Sequence, residues 1–206
     1  MPSLRRVLHL LGGCAILGVG VALILTADLG SDGFSTLVNG LRLRTGWPFF
    51  VANVIVSVTF LLLAAARRVI PGLGTLAQIA IVGGVASIVL QAFSTPDGLP
   101  ARVALLAMSL PVLAVGIAMY LGSHLGAGPM EAAGLAWDPP IPFRWSYNLI
   151  QLISAIAGWL LGATIGVATV VVILVLGPMI DVAARLLRLD VHQGDRAAEQ
   201  PRSVER

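Results

Sequence analysis

Leu29-Gly30-Ser31-Asp32-Gly33 and Leu125-Gly126-Ala127-Gly128-Pro129 lie 96 residues apart and share one frame. Their surroundings match in the same order. Gly20 falls over Gly116, Gly40-Leu41 over Gly134-Leu135, and Asn53 over Asn148. Gly72-Leu73-Gly74-Thr75 falls over Gly166-Val167-Ala168-Thr169, and Gly83 over Gly177, so offsets run from 94 to 96. Shared apolar residues would mean little in a chain this apolar. Matched Gly, Asn and Thr in one order indicate a duplication.

Six apolar runs carry these matches, at 7–27, 47–66, 74–93, 101–122, 143–163 and 167–186. A helix of about 20 apolar residues crosses about 30 Å of hydrocarbon. The 206 residues are 57% hydrophobic and 11% charged, with a mean hydropathy of +0.93. Soluble domains hold about 45–50% apolar and about 25% charged residues. An ordinary soluble enzyme, a secreted disulfide scaffold and a disordered chain are therefore excluded. The single cysteine, Cys14, forms no internal disulfide.

The expected fold is an all-α membrane protein of six transmembrane helices. Residues 1–97 form a first membrane repeat, 98–189 a second, and 190–206 a polar, disordered tail. Each repeat holds three spans. Because three is odd, the second repeat enters the membrane from the opposite side, as in inverted-topology transporters. The first run reads as a retained span. It is longer than the 7–15 residues typical of a signal peptide, and Leu25 is a poor residue before a small-x-small cleavage site.

All 13 basic residues are arginines, the net charge is +3, and the pI is about 10.0. They sit at the ends of apolar runs, so they report membrane orientation. Nucleic acid is not an expected partner; the lipid bilayer is. With the N-terminus inside, ten arginines (5, 6, 67, 68, 144, 185, 188, 196, 202, 206) are cytoplasmic. Arg42, Arg44 and Arg102 are external. Both termini are then cytoplasmic.

Segments 30–44 and 126–137 are Gly-rich, moderately apolar and too short to cross. Two readings stay open: re-entrant half-helices dipping towards the midplane, or amphipathic helices lying flat at each surface.

Several pieces resemble the YczE/YyaS/YitT group of bacterial membrane proteins, YczE-like members most closely. They are Leu29-Gly30, Gly40-Leu41 with Arg44-Thr45-Gly46, Gly72-Leu73-Gly74-Thr75, Leu125-Gly126-Ala127-Gly128-Pro129, Gly158-Trp159-Leu160-Leu161-Gly162 and Gly177-Pro178. Departures are Gly33 in place of Pro, Ala168 in place of Gly, Gln151 near a usual acidic position, and Pro139-Pro140 in place of an Arg-Thr-Gly-like end. The resemblance implies the bacterial inner membrane. It brings no settled substrate.

Polar groups in spans are costly and need a reason. Asn53, Asn148 and Gln151 are candidate amides for orienting a substrate, or else interhelical hydrogen-bonders. Glu131 and Asp181 are candidate acids for a proton or cation. Their plainer roles are a helix-dipole cap for Glu131 and a partner of Arg185 for Asp181. Asp28 and Asp32 read as loop and cap residues. Gly30, Gly74, Thr75, Gly126, Pro129, Gly166, Thr169, Gly177 and Pro178 are the structural repeat motifs. Gly158, Gly162 and Gly166 read as a GxxxGxxxG packing ladder, Pro111 as a kink, and the four tryptophans as an interfacial belt. No metal-ligand spacing, phosphate loop or nucleophile motif is present, so no metal, cofactor or enzymatic activity is expected. The expected function is a small secondary transporter or permease of unknown small-molecule or ion substrate, working by rocking of one repeat against the other. The chain's small size leaves room for a homodimer. The competing class is a non-transporting scaffold or assembly factor.

Overall fold

A computed structural model describes residues 3–69, 71–137 and 140–189. Pro139 and the tail from Asp190 to Arg206 lie outside them. Among the described residues the secondary structure is helical throughout. The chain forms α1 (Leu4–Ala27), α2 (Gly33–Thr45), α3 (Phe49–Ala65) and α4 (Leu73–Ala92). It continues with α5 (Leu99–Leu121), α6 (Pro129–Leu135), α7 (Phe143–Leu160) and α8 (Val167–Leu187). Long, short, long, long is thus the order in each half. By length and composition, α1, α4 and α5 can each cross a membrane. The protein is a helical membrane protein: Leu8, Leu62, Ile88, Met108, Leu160 and Leu174 are among many large apolar side chains left on its outer surface. In water such a surface would drive aggregation; in lipid it is the solvent-matched face.

Helices α1 and α5 form the centre, packed along their length. Glycine makes this close approach feasible. A Cβ on Gly13 would lie 2.6 Å from Tyr120 N, and one on Gly116 would lie 2.6 Å from Leu17 N. A Cβ on Gly20 would lie 2.9 Å from Leu113 Cγ. As residue numbers rise on α1 they fall on α5, so the two helices run antiparallel. Helix α4 covers α1, and α8 covers α5.

Each short helix packs on the third helix of the other half. Helix α2 lies against α7, with Gly33 beside Gln151 and Gly40 beside Gly158. Both numbers rise together, so α2 and α7 run the same way and α2 begins halfway along α7. Helix α6 lies against α3, where Ala132 and Ala136 pack with Ala64. The expected glycine ladder does not form as one helical stripe. Only Gly158 works as a helix-packing residue, because α7 ends at Leu160. Gly162 sits in the following turn with φ +105°, and Gly166 caps α8 against the Leu29 carbonyl.

The repeat motifs meet crosswise. Gly74 N–H donates to the Leu125 carbonyl (2.8 Å), and Ala168 N–H donates to the Leu29 carbonyl (3.1 Å). The Thr75 hydroxyl accepts from Gly72 N–H (3.2 Å) and donates to the Ala127 carbonyl (2.5 Å). Thr169 Oγ is buried beside Gly30 without a hydrogen-bond partner. These backbone groups sit among apolar helices, where unpaired polar groups cost several kcal/mol on the order of a lost hydrogen bond or more.

Helix α4 contains one π-helical turn, Gln78–Val82. Asn53 explains how that turn is held: its Nδ2 donates to the Ile79 carbonyl at 3.0 Å. Asn53→Leu should leave that buried acceptor unpaired and cost about 1–3 kcal/mol. Thermal unfolding in detergent would check this, and an unchanged midpoint would assign Asn53 no role in the turn.

Candidate functional site

Helix α2 starts with Asp32, whose carboxylate caps Ser35 N–H at 3.0 Å. The next N–H, Gly33, donates to Gln151 Oε1 at 2.6 Å. Gln151 Nε2 in turn donates to the Tyr147 hydroxyl at 3.1 Å. Helix α6 starts with Gly128 and Pro129, and carries Glu131 in its first turn. A side chain at Gly128 would run into both Gln78 Oε1 and Glu131 Oε2. Those two oxygens therefore crowd one point above the Gly128 backbone.

Around that point the halves converge. The Glu131 carboxyl interacts electrostatically with Asp32, Tyr120 and Tyr147. Tyr120 is 1% exposed, and its hydroxyl lies against the Gly128 backbone. The cluster thus gathers Asp32 from α2, Gln78 from α4, Tyr120 from α5, Glu131 from α6, and Tyr147 with Gln151 from α7. Two helix N-termini, each with its partial positive charge, face it with an acid of their own. Chemically it offers oxygen acceptors and hydroxyl donors.

At one end of the bundle Arg102 Nε donates to the Ala27 carbonyl at 2.8 Å, and its Nη2 bonds the Asp28 carbonyl. The same nitrogen forms an ion pair with Asp28 Oδ2 at 2.9 Å. Thr164 donates to the other Asp28 oxygen. This latch ties the end of α1 to the start of α5 and to the α7–α8 turn. It also caps the α1 carbonyls with a cation, as a helix C-terminus favours. Beside it opens a cleft of about 660 Å³ lined by Asn39, Arg42, Gln91, Thr95 and Thr164 with Leu25 and Phe93. The lining does not include Glu131, Asn53, Asn148 or Asp181.

The sequence candidates thus separate. Gln151 is linked to Glu131 through Tyr147, which it hydrogen-bonds and which interacts electrostatically with the carboxyl. Asn53 is 2% exposed and is consumed by the π-turn. Asn148, its repeat match, is exposed on α7, so the two asparagines do not share a site. Asp181 is exposed on α8, and its expected ion pair with Arg185 is not formed; the ion pair found among the described residues is Arg102–Asp28. Tyr120 and Tyr147 were not singled out from sequence. Their signal was scarcity: the chain has two tyrosines, and both interact electrostatically with Glu131.

This arrangement defines a polytopic helical membrane protein with a polar cluster where two short helices begin. The chain belongs to a family of unknown function, DUF6198, which it matches over residues 4–185. It is similar to an uncharacterised protein of Haemophilus influenzae, 29% identical over 165 residues, covering 78% of this chain and 75% of that one. No solved structure matches it.

Proposed function

We propose that the protein is a small secondary transporter of the bacterial inner membrane. It crosses six times as two inverted halves, with both termini cytoplasmic, and its site is the Asp32–Glu131 cluster. The supporting observation is that both short helices begin inside the bundle, in matching places of the two halves. The 96-residue offset turns the Gly20–Leu113 contact into the Gly116–Leu17 contact. Such an exchange is what a two-fold axis crossing α1 between residues 18 and 19 requires.

If that axis lies at the midplane, Ala27 sits roughly 13 Å above it and Leu121 roughly 10 Å below, at 1.5 Å per residue. Both values fall within the roughly 15 Å half-thickness of the hydrocarbon. The first span of each half then stops short of the surface. The chain re-enters through Asp32 or Gly128, and α2 and α6 run out to opposite faces. Interrupted elements at matching places of two halves are where transporter sites are built. This favours half-helices over helices lying flat, and a transporter over a scaffold. The YczE-like resemblance is compatible with it.

The Asp28–Arg102 latch acts as the external gate in this reading. The same offset places Arg6 and His124 at the opposite end, two positions that offer no carboxylate. The structure's state is then one closed at the outer end. Arg102→Ala should raise the rate of external thiol labelling at Ala163→Cys, in a Cys14→Ala background. A partly exposed bridge is worth up to about 1 kcal/mol, so the gain is up to about five-fold.

The transport reading is tested by Gln78→Cys in the same background. A small impermeant thiol reagent should modify it when applied from either face of sealed vesicles. Modification from neither face would support the scaffold alternative instead.

A further inference from the structure

Among the described residues the helices fall into two sets, each knit by small residues. Helices α1, α4, α5 and α8 form one: α4 and α5 pack on α1, and α8 packs on α5. Gly13, Gly20 and Gly116 let α1 and α5 touch, and a Cβ on Gly18 would lie 2.9 Å from Val85 Cβ of α4. Helices α2, α3, α6 and α7 form the other: α2 packs on α7 and α3, and α6 packs on α3 and α7. Gly33, Gly40 and Gly158 lie at the α2–α7 contact, and Ala132 and Ala136 meet Ala64 between α6 and α3. The chief seam between the sets is α3 on α4. Asn53 stitches it by donating to the Ile79 carbonyl of the π-helical turn at 3.0 Å. A Cβ on Gly83 of α4 would lie 2.5 Å from the same amide nitrogen.

The matching seam of the second half is not made. The 95-residue offset that lays Asn53 over Asn148 also lays Ile79 over Leu174, and Gly83 lies over Gly177. Yet among the described residues α7 does not pack along α8. Asn148 is exposed, Leu174 is 68% exposed, and nothing lies within 4 Å of a Cβ on Gly177. The other main pairings do have counterparts: α1–α4 with α5–α8, α2–α7 with α6–α3, and α2–α3 with α6–α7. The parts of the missing seam are nevertheless present. Pro178 stands inside α8 and has no N–H, so the Leu174 carbonyl four residues back lacks its helical donor. Each half thus frees a carbonyl at the matching place of its last helix, by a π-turn in α4 and by a proline in α8. Asn53 takes the first, and Asn148 leaves the second open.

We propose that α2, α3, α6 and α7 rock as one body on α1, α4, α5 and α8, so that the α3–α4 seam opens as α7 docks on α8 and Asn148 donates to the Leu174 carbonyl. The inference rests on the transporter reading above and names its moving parts, which cut across the two repeats instead of dividing along them. One amide–carbonyl bond is lost and a like one is formed, which keeps the two states close in energy. Helices α3 and α4 are joined at Ala66–Gly72 and α7 and α8 at Leu161–Gly166, so the two seams close opposite mouths of the bundle. In the proposed topology α3 on α4 closes the outer mouth, and α7 on α8 closes the cytoplasmic one. Asp32, Glu131, Tyr147 and Gln151 ride on one body, Gln78 and Tyr120 on the other. The cluster therefore lies between the moving parts, where alternating access needs it.

The test is disulfide trapping of the full chain in lipid vesicles, in the Cys14→Ala background with copper phenanthroline as oxidant. Asn53→Cys with Gly83→Cys reports the seam closed in this structure. Asn148→Cys with Gly177→Cys reports the proposed one, and both positions are open enough to accept the change. Cysteines bridge only when their Cα atoms come within about 7 Å. Both pairs should lose their free thiols within the monomer. Each should do so at least about ten times faster than Leu160→Cys with Gly177→Cys, because Leu160 lies about 18 Å along α7 from Asn148. If the 53–83 variant does not fold, the 148–177 pair against its 160–177 control carries the test. A 148–177 pair that stays reduced overturns the proposal, as does a rate no higher than the control. A covalent dimer in place of the internal bridge also overturns it, and gives the Asn148 face to a second copy. Two-sided labelling at Gln78→Cys beside a reduced 148–177 pair would remove this division of the bundle and leave the transporter reading standing.

Discussion

Gly116→Leu should abolish folded protein in the membrane. The α1–α5 contact is the spine of the bundle, and it exists because glycines let the backbones touch. A Cβ at Gly116 would sit 2.6 Å from Leu17 N and 2.8 Å from Leu17 Cα, both backbone atoms that cannot rotate away. Helix association in lipid gains little from burying apolar surface and depends on such packing. Forcing extra methylenes into a packed interior costs about 1–3 kcal/mol where neighbours can adjust. Here the neighbour is main chain, so the upper end of that range or more is expected. Gly84→Leu is the control, since nothing lies within 4 Å of its Cβ position and the face is open. Comparing the monodisperse yields of the two variants in detergent measures the effect. Equal yields would mean that α1 and α5 do not pack as described.

Gly126→Ala should be the second severe variant, for a different reason. Its φ is +131°, a backbone region that side chains rarely occupy, and a Cβ there would lie 3.1 Å from Gly72 Cα. The substitution strains the loop locally, at about 1–3 kcal/mol for such a conformation. It also pushes apart the strap in which Gly74 N–H meets the Leu125 carbonyl. Gly30→Ala should behave alike, because Gly30 has φ +105° and its Cβ position is 2.5 Å from Thr169 Oγ1 and 2.7 Å from Gly166 N. Gly46→Ala isolates the backbone term. It has φ +73° but open space around it, so its loss should stay near about 1–2 kcal/mol. Unfolding midpoints of the three variants should rank Gly46→Ala well above the other two.

These glycines show what the sequence could and could not disclose. Gly30 with Gly126, and Gly74 with Ala168, were legible as repeat partners because residues forced by backbone geometry survive where apolar residues drift. Their crosswise pairing was not legible. A period along the chain gives correspondence between halves, whereas contact depends on how one half is laid on the other. One helix end followed from a turn signal, because Asp32 as a cap is short-range chemistry, whereas the left-handed stop at Gly46 was not singled out. The candidate site was read in part. Glu131 and Gln151 were selected as costly polar residues, and Tyr147 stands between them, hydrogen-bonded to Gln151 and interacting electrostatically with Glu131. Asn148 was selected by the same logic and points outward, because a repeat match preserves position along a helix but not the neighbour that buries it. Tyr120 was overlooked since an aromatic ring in a span looks apolar until its hydroxyl is placed against the Gly128 backbone.

The most direct test of the account is the side of the membrane on which the two short helices end. Thr45 and Leu135 are exposed at the last positions of α2 and α6. Single cysteines, Thr45→Cys and Leu135→Cys, would be placed in a Cys14→Ala background and treated with an impermeant thiol reagent in intact cells and in inverted vesicles. The account predicts that position 45 reacts from outside only and position 135 from the cytoplasmic side only. Reaction of both from one face would make the halves parallel, and would contradict the inverted repeat on which the proposed site is built.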